Sequence, residues 1–146
     1  MATKSDVVSL VQQFAENQFG GNDEVFEAAY DSLLEIGQAV VCCLAEIVAD
    51  AESPYQIAAI DLLECFHPVL DSSSSLPSLR LVMSEGDPWL RLCAAEAVWI
   101  IEGESPNDIA LDALAVIREA VHSELCRVRE RAKSTLRTLE ELGAFH

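Results

Sequence analysis

Apolar residues recur along the chain at spacings of three and four, which is the period of an amphipathic helix. No long alternating run of apolar and polar residues occurs, and no Asn-Gly or Asp-Gly pair marks a hairpin between strands. The pattern therefore predicts an all-α protein without a sheet. The expected helices span residues 5–18, 22–36, 38–51, 54–67, 76–85, 88–102, 107–121 and 124–142.

Prolines, glycines and capping side chains mark the expected helix boundaries. A serine or aspartate before a proline favours a helix start, because the side-chain oxygen accepts an unpaired backbone N–H and proline has none to lose. These pairs are Ser53-Pro54, Asp87-Pro88 and Ser105-Pro106, and Ser53 also forms a capping-box pattern with Gln56. Glycines follow the expected helices at Gly20-Gly21, Gly37, Gly103 and Gly143, and the serine-rich stretch 71–75 is typical of a loop.

The eight expected helices pair into four hairpins that share one pattern in their second helix. Each pattern begins with a small residue. A small or medium residue follows three positions later, and apolar residues follow four and seven positions later. The small residues are Ala29, Ala59, Ala94 and Ala132, at offsets of 30, 35 and 38 residues. Because one hairpin cannot bury its own apolar face, such repetition predicts stacking into a solenoid. The expected repeats span roughly 5–36, 38–67, 76–102 and 107–142 of a single domain, 1–146.

The second helices of the third and fourth repeats resemble the HEAT-repeat family. The third reads Leu90-Arg91-x-x-Ala94-x-x-Ala97-Val98-x-x-Ile101, and the fourth reads Val128-Arg129-x-x-Ala132-x-x-Thr135-Leu136-x-x-Leu139. An acid precedes each arginine, at Asp87 and Glu124, whereas Phe26 and Gln56 stand at the arginine position of the first two repeats. The resemblance implies a right-handed α-solenoid of about four hairpins with a protein-binding role. It carries over no catalytic residue.

Length and composition allow one domain with its own core, since the chain has 146 residues and 51% of them are hydrophobic. The net charge of −16 argues against nucleic acid or an anionic membrane as partner, because binding their phosphates needs a positive field. The N-terminus is not typical of a signal peptide, and the longest strictly apolar stretch, 39–45, is far shorter than a membrane span. Five cysteines without a Cys-x-x-Cys motif are typical of buried, reduced thiols in a cytoplasmic protein.

The charge is distributed unevenly along the chain. Residues 5–79 contain thirteen acids and no lysine or arginine, whereas residues 118–137 contain six cations and three acids. In the repeat register, the position two after the small residue is Asp31, Asp61 and Glu96 in the first three repeats. Since stacked helices lie about 8–10 Å apart, we expect these side chains to form a ladder of exposed carboxylates. The acids that flank it are Glu27, Glu35 and Glu64.

Two interpretations of this acidic face are open. It is a solvated face that keeps the protein soluble, or it is the surface that binds a basic protein. The long stretch without a cation favours binding, because a face of mixed sign would solubilise equally well. Trp99 is a candidate anchor in the interface, and packing at the edge of the core is the equal alternative. If the acids serve solubility alone, the alternative binding surface is the arginine-rich end at Arg127, Arg129, Arg131 and Arg137.

The common catalytic and metal-binding motifs are missing from the sequence. The chain lacks the glycine-rich nucleotide loops, the H-E-x-x-H zinc signature and the G-x-S-x-G elbow. His122 and Cys126 are four residues apart, but a structural zinc site takes about four ligands and no second pair is visible. We therefore expect no metal, no cofactor and no small-molecule substrate.

The expected function is a non-enzymatic module that captures a basic protein. The most concrete case is a bacterial immunity protein or inhibitor that neutralises a basic toxin. One alternative is a scaffold or adaptor subunit of a larger assembly. Another is a HEAT-like enzyme or chromophore-handling protein, which a bound small molecule or metal would indicate.

Overall fold

The computed structural model describes residues 3–67, 69–102 and 107–142. Within these ranges the regular elements are all helical and no strand occurs, which confirms the all-α prediction. The α-helices of the described chain are α1 (Lys4–Asn17), α2 (Asp23–Ile36), α3 (Ala39–Ala49), α4 (Gln56–Phe66), α5 (Leu76–Glu85), α6 (Pro88–Glu102), α7 (Asp108–Ala120) and α8 (Cys126–Glu141). Each begins and ends within two residues of the bounds that the apolar spacing predicts.

The chain forms two compact units, residues 1–78 and 79–146, which we call unit 1 and unit 2. In unit 1, α1 packs against α2 and α3 packs against α4. In unit 2, α7 packs against both α6 and α8. The boundary lies inside α5, so the helices of the first two predicted repeats belong to unit 1. The stacking of all four repeats into one right-handed solenoid domain stays a prediction.

The small residues of the repeat are buried, as the pattern predicts. Ala29, Ala59, Ala94 and Ala132 are each at most 1% exposed to solvent. A side chain of this size lets a neighbouring helix approach closely, and the larger apolar residues one turn later fill the remaining space. The repeat register read from the sequence is therefore confirmed at its small positions.

In three of the four repeats, the side chain three residues before the small residue holds the hairpin together. Each donates a hydrogen bond to a backbone carbonyl at or just beyond the end of the first helix, where carbonyls lack an intrahelical partner. The bonds run from Gln56 Nε2 to the Val48 carbonyl (2.9 Å), from Arg91 Nε to the Met83 carbonyl (2.8 Å) and from Arg129 Nη1 to the Ser123 carbonyl (3.2 Å). Gln56 thus makes the same type of contact as the arginines, although it departs from their motif.

The first repeat is the exception to this pattern. Phe26 stands at the corresponding position, and its ring stacks on that of Phe14 from α1, with centroids 4.7 Å apart. An aromatic contact therefore replaces the polar bond between the two helices of this hairpin.

Helix α4 begins later than the sequence predicts. Ser53 Oγ accepts a hydrogen bond from the Tyr55 N–H, two residues later, at 3.1 Å. The serine therefore closes a short local turn and does not cap the helix. The side chain of Gln56 is bonded to α3, as described above, and completes no capping box. The capping prediction at Ser53-Pro54 is therefore wrong, and the first helical residue is Gln56.

The serine-rich stretch 71–75 is more ordered than a plain loop. Its last three residues, Ser73–Ser75, form a short 3-10 turn. The Gln38 side chain accepts from the Asp71 N–H at 3.0 Å and donates to the Asp71 carbonyl. This pair of bonds fixes the stretch to the start of α3.

Other boundary signals behave as the sequence predicts. Asp87 accepts a hydrogen bond from the Leu90 N–H at 2.9 Å, and Pro88 is the first residue of α6. Gly20 and Gly37 have φ angles of +83° and +82°, a region that favours glycine. The predicted signals at Gly103, Ser105-Pro106 and Gly143 lie outside the described residues.

Candidate functional site: an acidic groove in unit 1

A groove of about 530 Å³ opens in unit 1 among α1, α2 and α4. Its volume lies in the range of cavities that hold small organic ligands, about 300–1,000 Å³. Four of the nine lining residues are carboxylates and none is a lysine or arginine, so we call this feature the acidic groove. The lining residues are Phe14, Gln18, Phe26, Glu27, Tyr30, Asp31, Asp61, Glu64 and Cys65.

Helix α2 brings two rows of side chains to the acidic groove. Glu27 and Asp31 are four residues apart, as are Phe26 and Tyr30, so the members of each pair lie on the same side of the helix. The helix start is fixed by Asn22, whose side chain accepts two backbone N–H groups of the first turn. Glu27 and Asp31 form an acidic row, which lies beside an aromatic row formed by Phe26 and Tyr30.

The aromatic row is supported from below by two buried rings. Phe14, only 2% exposed, stacks against Phe26 at an interplanar angle of 26°. Phe66, fully buried, lies 5.1 Å from the ring of Tyr30. Phe26 and Tyr30 themselves are half-buried. The groove therefore has an aromatic floor, formed by Phe14, Phe26 and Tyr30. Phe26 stands at the position that carries glutamine or arginine in the other three repeats.

The carboxylates of α2 and α4 are held differently. Asp61 accepts a hydrogen bond from Gln18 Nε2 at 2.8 Å, which joins α4 to the end of α1. Glu27 and Asp31 are exposed, and neither makes an ion pair or hydrogen bond within the described residues. Lys4 is the only cation in the sequence of unit 1, and it pairs with Glu46, outside the groove lining. The acidic row of α2 is therefore not neutralised by unit 1.

Two titratable groups in the acidic groove respond to this environment. Burial raises the pKa of the Tyr30 phenol, and the negative charge of nearby Asp31 adds to the shift. Desolvation also raises the pKa of the Cys65 thiol, with further contributions from Glu64 and Asp61. Since each charged form would be an anion, both shifts indicate a partly desolvated site with a negative potential.

The equivalent register position in unit 2 is Glu96, and its carboxylate is paired within the chain. Arg131 Nε donates to Glu96 Oε1 at 2.9 Å, and Arg131 Nη2 donates to Oε2 at 3.0 Å. The Glu96 side chain is only 11% exposed, so this bidentate pair is largely withdrawn from water. Arg131 and Arg127 also lie over the Trp89 ring, with 5.2 Å and 3.9 Å between guanidinium carbon and ring centroid.

The structure brings four of the seven predicted binding residues together. Glu27, Asp31, Asp61 and Glu64 line the acidic groove. Glu35 is exposed on α2 but is not among the lining residues.

Glu96 and Trp99 belong to unit 2, where the Trp99 side chain is packed into the core and 8% exposed. The expectation of uniformly exposed carboxylates is wrong for Asp61 and Glu96, which are partly buried. Each of them accepts a hydrogen bond from a neighbouring helix or its end.

The apolar side of the acidic groove was not predicted from the sequence. Phe14, Phe26 and Cys65 line the acidic groove but were not among the predicted binding residues. One signal was available, because a phenylalanine at a position that elsewhere carries Gln or Arg breaks the repeat without a packing reason visible in the sequence. Departures from a repeat pattern often mark functional positions.

The structure also bears on the cysteines, on metal ligands and on membrane-spanning helices. The five cysteines are free, but Cys42, Cys65 and Cys126 are exposed, so the prediction that all five are buried is wrong for these three. Among the described side chains, no three His, Cys, Asp or Glu residues are grouped so as to hold a metal ion. In the same ranges no single helix has both the length and the apolarity of a membrane span. Only α2 and α3 taken together reach both, and they meet at a bend of 117°.

Compared with known proteins, the chain matches no family model, no curated protein and no solved structure. The HEAT-repeat resemblance therefore stays a prediction.

Proposed function

We propose that the protein is a non-enzymatic binding module that captures a basic protein at the acidic groove. The observation that carries this proposal is the combination of an acidic row and an aromatic floor in one groove of unit 1. An aromatic floor supplies apolar contact area, which carboxylates alone lack. Carboxylates that only keep a protein soluble need no such floor, and they need no cavity.

The charge of unit 1 supports capture of a cationic partner. Its sequence contains one lysine and thirteen acids, a net charge of −12, whereas unit 2 has eight cations and twelve acids, a net charge of −4. A surface of one sign attracts a partner of the opposite sign before contact. Such steering raises association rates to about 10⁸–10⁹ M⁻¹ s⁻¹ at low salt, from about 10⁵–10⁶ M⁻¹ s⁻¹ without it.

Within this class, the partner that we propose is a basic toxin such as a nuclease, with this chain as its immunity protein or inhibitor. A nuclease must carry a positive cleft to bind phosphates, and an acidic groove is complementary to such a cleft. We place the complex in the cytoplasm, because several exposed free thiols are typical of a reducing compartment.

The experiment compares two variants of the protein that carry the same charge change. Glu27→Lys with Asp31→Lys reverses the acidic row, and Glu16→Lys with Glu52→Lys makes the same change at exposed acids outside the groove lining. Immobilised wild-type protein isolates the partner from host extract, and the purified partner is then used to measure association rates at several salt concentrations.

We expect a partner of net positive charge that associates at least about tenfold more slowly with the groove variant than with the control variant. The salt dependence of the rate should also be weakest for the groove variant. A neutral or acidic partner, or equal rates for the two variants, would contradict the proposal and leave the acids as a solvated face.

One observation favours the adaptor function as a second candidate. Leu81 and Leu111 are apolar side chains of unit 2 that are 43% and 53% exposed. Their chain neighbours Arg80 and Asp112 approach to 3.9 Å, so the two leucines lie on adjacent helices, α5 and α7. A subunit of a larger assembly would cover such residues. A purified protein that stays monomeric at high concentration, and an unchanged partner affinity after Leu111→Ser, would argue against this second function.

A further inference from the structure

In unit 2 an arginine is bound at Glu96, which stands at the same repeat position as Asp31 in the acidic groove of unit 1. Arg131 of α8 reaches back to α6, binds both oxygens of Glu96 and lies over an aromatic ring. A planar guanidinium favours this environment, because it can donate two parallel hydrogen bonds to a carboxylate while its face contacts a ring. The two helices involved are the second helices of consecutive repeats.

Unit 1 has the acceptor of this arrangement but not the donor. Asp31 occupies the register position of Glu96, and Ala58 occupies that of Arg131, one residue before the small residue of the next repeat. Ala58 is buried and has no polar group. In unit 1 the groove therefore opens between α2 and α4, the helices that correspond to α6 and α8.

The acidic groove supplies both kinds of contact that Arg131 makes in unit 2. Exposed carboxylates stand at Glu27 and Asp31, and half-buried rings stand at Phe26 and Tyr30. The groove also accepts a side-chain N–H donor, since Gln18 Nε2 lies 2.8 Å from an oxygen of Asp61. Its volume of about 530 Å³ leaves room for a side chain of arginine size.

We propose that the acidic groove binds an arginine side chain of the basic partner, with the guanidinium at Glu27 and Asp31 and its flat face on the aromatic floor. The inference rests on the proposed function and names the residue that the partner inserts. The partner's arginine takes the place at α2 that Arg131 takes at α6.

The test uses a blocked arginine, N-acetyl-arginine amide, as probe and the blocked citrulline as its neutral counterpart of the same shape. Both are titrated into the ¹⁵N-labelled full chain, and amide resonances are followed by NMR. We expect the arginine probe to shift the signals of α2 and α4 residues that line the groove, with an affinity at least about tenfold higher than that of citrulline, because charge-assisted bonds are the stronger ones. Blocked lysine should bind more weakly than arginine, since it lacks the planar face.

Two variants separate the site from general attraction of a cation to an acidic protein. Glu27→Gln with Asp31→Asn should lower the affinity for the arginine probe by about tenfold or more, whereas Glu16→Gln with Glu52→Gln, at exposed acids outside the groove lining, should not. Gln18→Arg places a guanidinium in the groove from the chain itself, so it should raise the melting temperature and abolish probe binding. Gln13→Arg, at an exposed residue of α1 outside the groove lining, should leave the probe bound.

Three results would overturn the inference: equal affinities for arginine and citrulline, equal affinities for arginine and lysine, or shifts spread over acids outside the groove. A failed probe together with partner association that still depends on Glu27 and Asp31 would reject the arginine assignment and leave the proposed function standing. Arginine binding together with a neutral natural partner would reject the proposed function instead.

Discussion

In unit 2 the carboxylate of Glu96 is held by Arg131 and is mostly buried, whereas in unit 1 the carboxylates of Asp31 and Asp61 line an open groove. All three residues stand two positions after the small residue of their repeat. The same helical pattern therefore supports an internal ion pair in one unit and a candidate binding site in the other. For Asp31, the position that corresponds to Arg131 is Ala58, which has no group that could bind a carboxylate.

This contrast shows which parts of a repeat are constrained by folding. The small residues are buried in both units, because a larger side chain would separate the helices. The position just before the small residue tolerates side chains of different size. It is the half-buried Arg131 in the fourth repeat and the buried Ala58 in the second. Function can differ between units at such positions while the fold stays the same.

We expect the greatest loss of stability at the buried small position of the third repeat, on whose register the comparison of Glu96 with Asp31 depends. Ala94→Glu places a charge at a site that is 0% exposed, so we expect unfolding or a loss of several kcal/mol, comparable to a total stability of about 5–15 kcal/mol. Circular dichroism during thermal and urea unfolding measures the loss. The control is Ala115→Glu, an exposed alanine of the same unit, which should change stability by less than about 0.5 kcal/mol. An unchanged melting temperature for Ala94→Glu would show that the register is wrong.

The next effect measures how differently the two units hold their carboxylates. Arg131→Ala leaves the 11% exposed Glu96 side chain without its guanidinium, so we expect a loss of about 2 kcal/mol in the free energy of unfolding. Asp31→Asn in unit 1 removes an exposed charge and should change stability by less than about 0.5 kcal/mol. Urea unfolding of both variants gives the comparison. Equal losses would mean that the two carboxylates are held in the same way.

The smallest effect concerns the thiol in the acidic groove. Because desolvation, Glu64 and Asp61 raise the pKa of Cys65, its thiolate should form at higher pH than the ordinary value of about 8.5. The rate of iodoacetamide alkylation at Cys65, followed by mass spectrometry against pH, should therefore have its midpoint above that value. Glu64→Gln removes one negative charge and should move the midpoint to lower pH. A midpoint at or below the ordinary value in the wild type would show that the groove lacks this field.

The fold was predictable from sequence to a larger extent than the site. Helix periodicity and the buried alanines depend on local spacing, so the bounds of all the described α-helices follow within two residues. The failure at Ser53 arose because a serine before a proline can also accept from the N–H two residues on, and the sequence does not distinguish the two bonds.

The acidic half of the groove was visible as a charge pattern, but its aromatic floor was not. Phe14 and Phe26 are twelve residues apart on different helices, and only the packing of α1 against α2 brings their rings to 4.7 Å. The pairing of Glu96 with Arg131 spans 35 residues and was missed for the same reason. Contacts of this kind depend on tertiary packing, which a repeat pattern specifies only for the buried positions.

Glu27 and Asp31 of unit 1 make no ion pair within the described residues, whereas Glu96 of unit 2 is paired with Arg131, so the potential at the acidic groove should be the more negative. Exposed cysteines in each unit allow a direct measurement, with Cys65 in the groove, Cys126 beside Arg127, and Cys42 in unit 1 outside the groove lining. Each is kept in turn while the other accessible cysteines are changed to serine. The rates of reaction with a cationic and an anionic methanethiosulfonate reagent are then compared at low salt.

We expect Cys65 to prefer the cationic reagent at least about tenfold more strongly than Cys126 does, and more strongly than Cys42 does, with the preference reduced at high salt. Glu27→Gln with Asp31→Asn should lower the preference at Cys65 alone. Equal cationic-to-anionic rate ratios at Cys65, Cys42 and Cys126 would contradict the claim that unit 1 holds a negative groove for a basic partner.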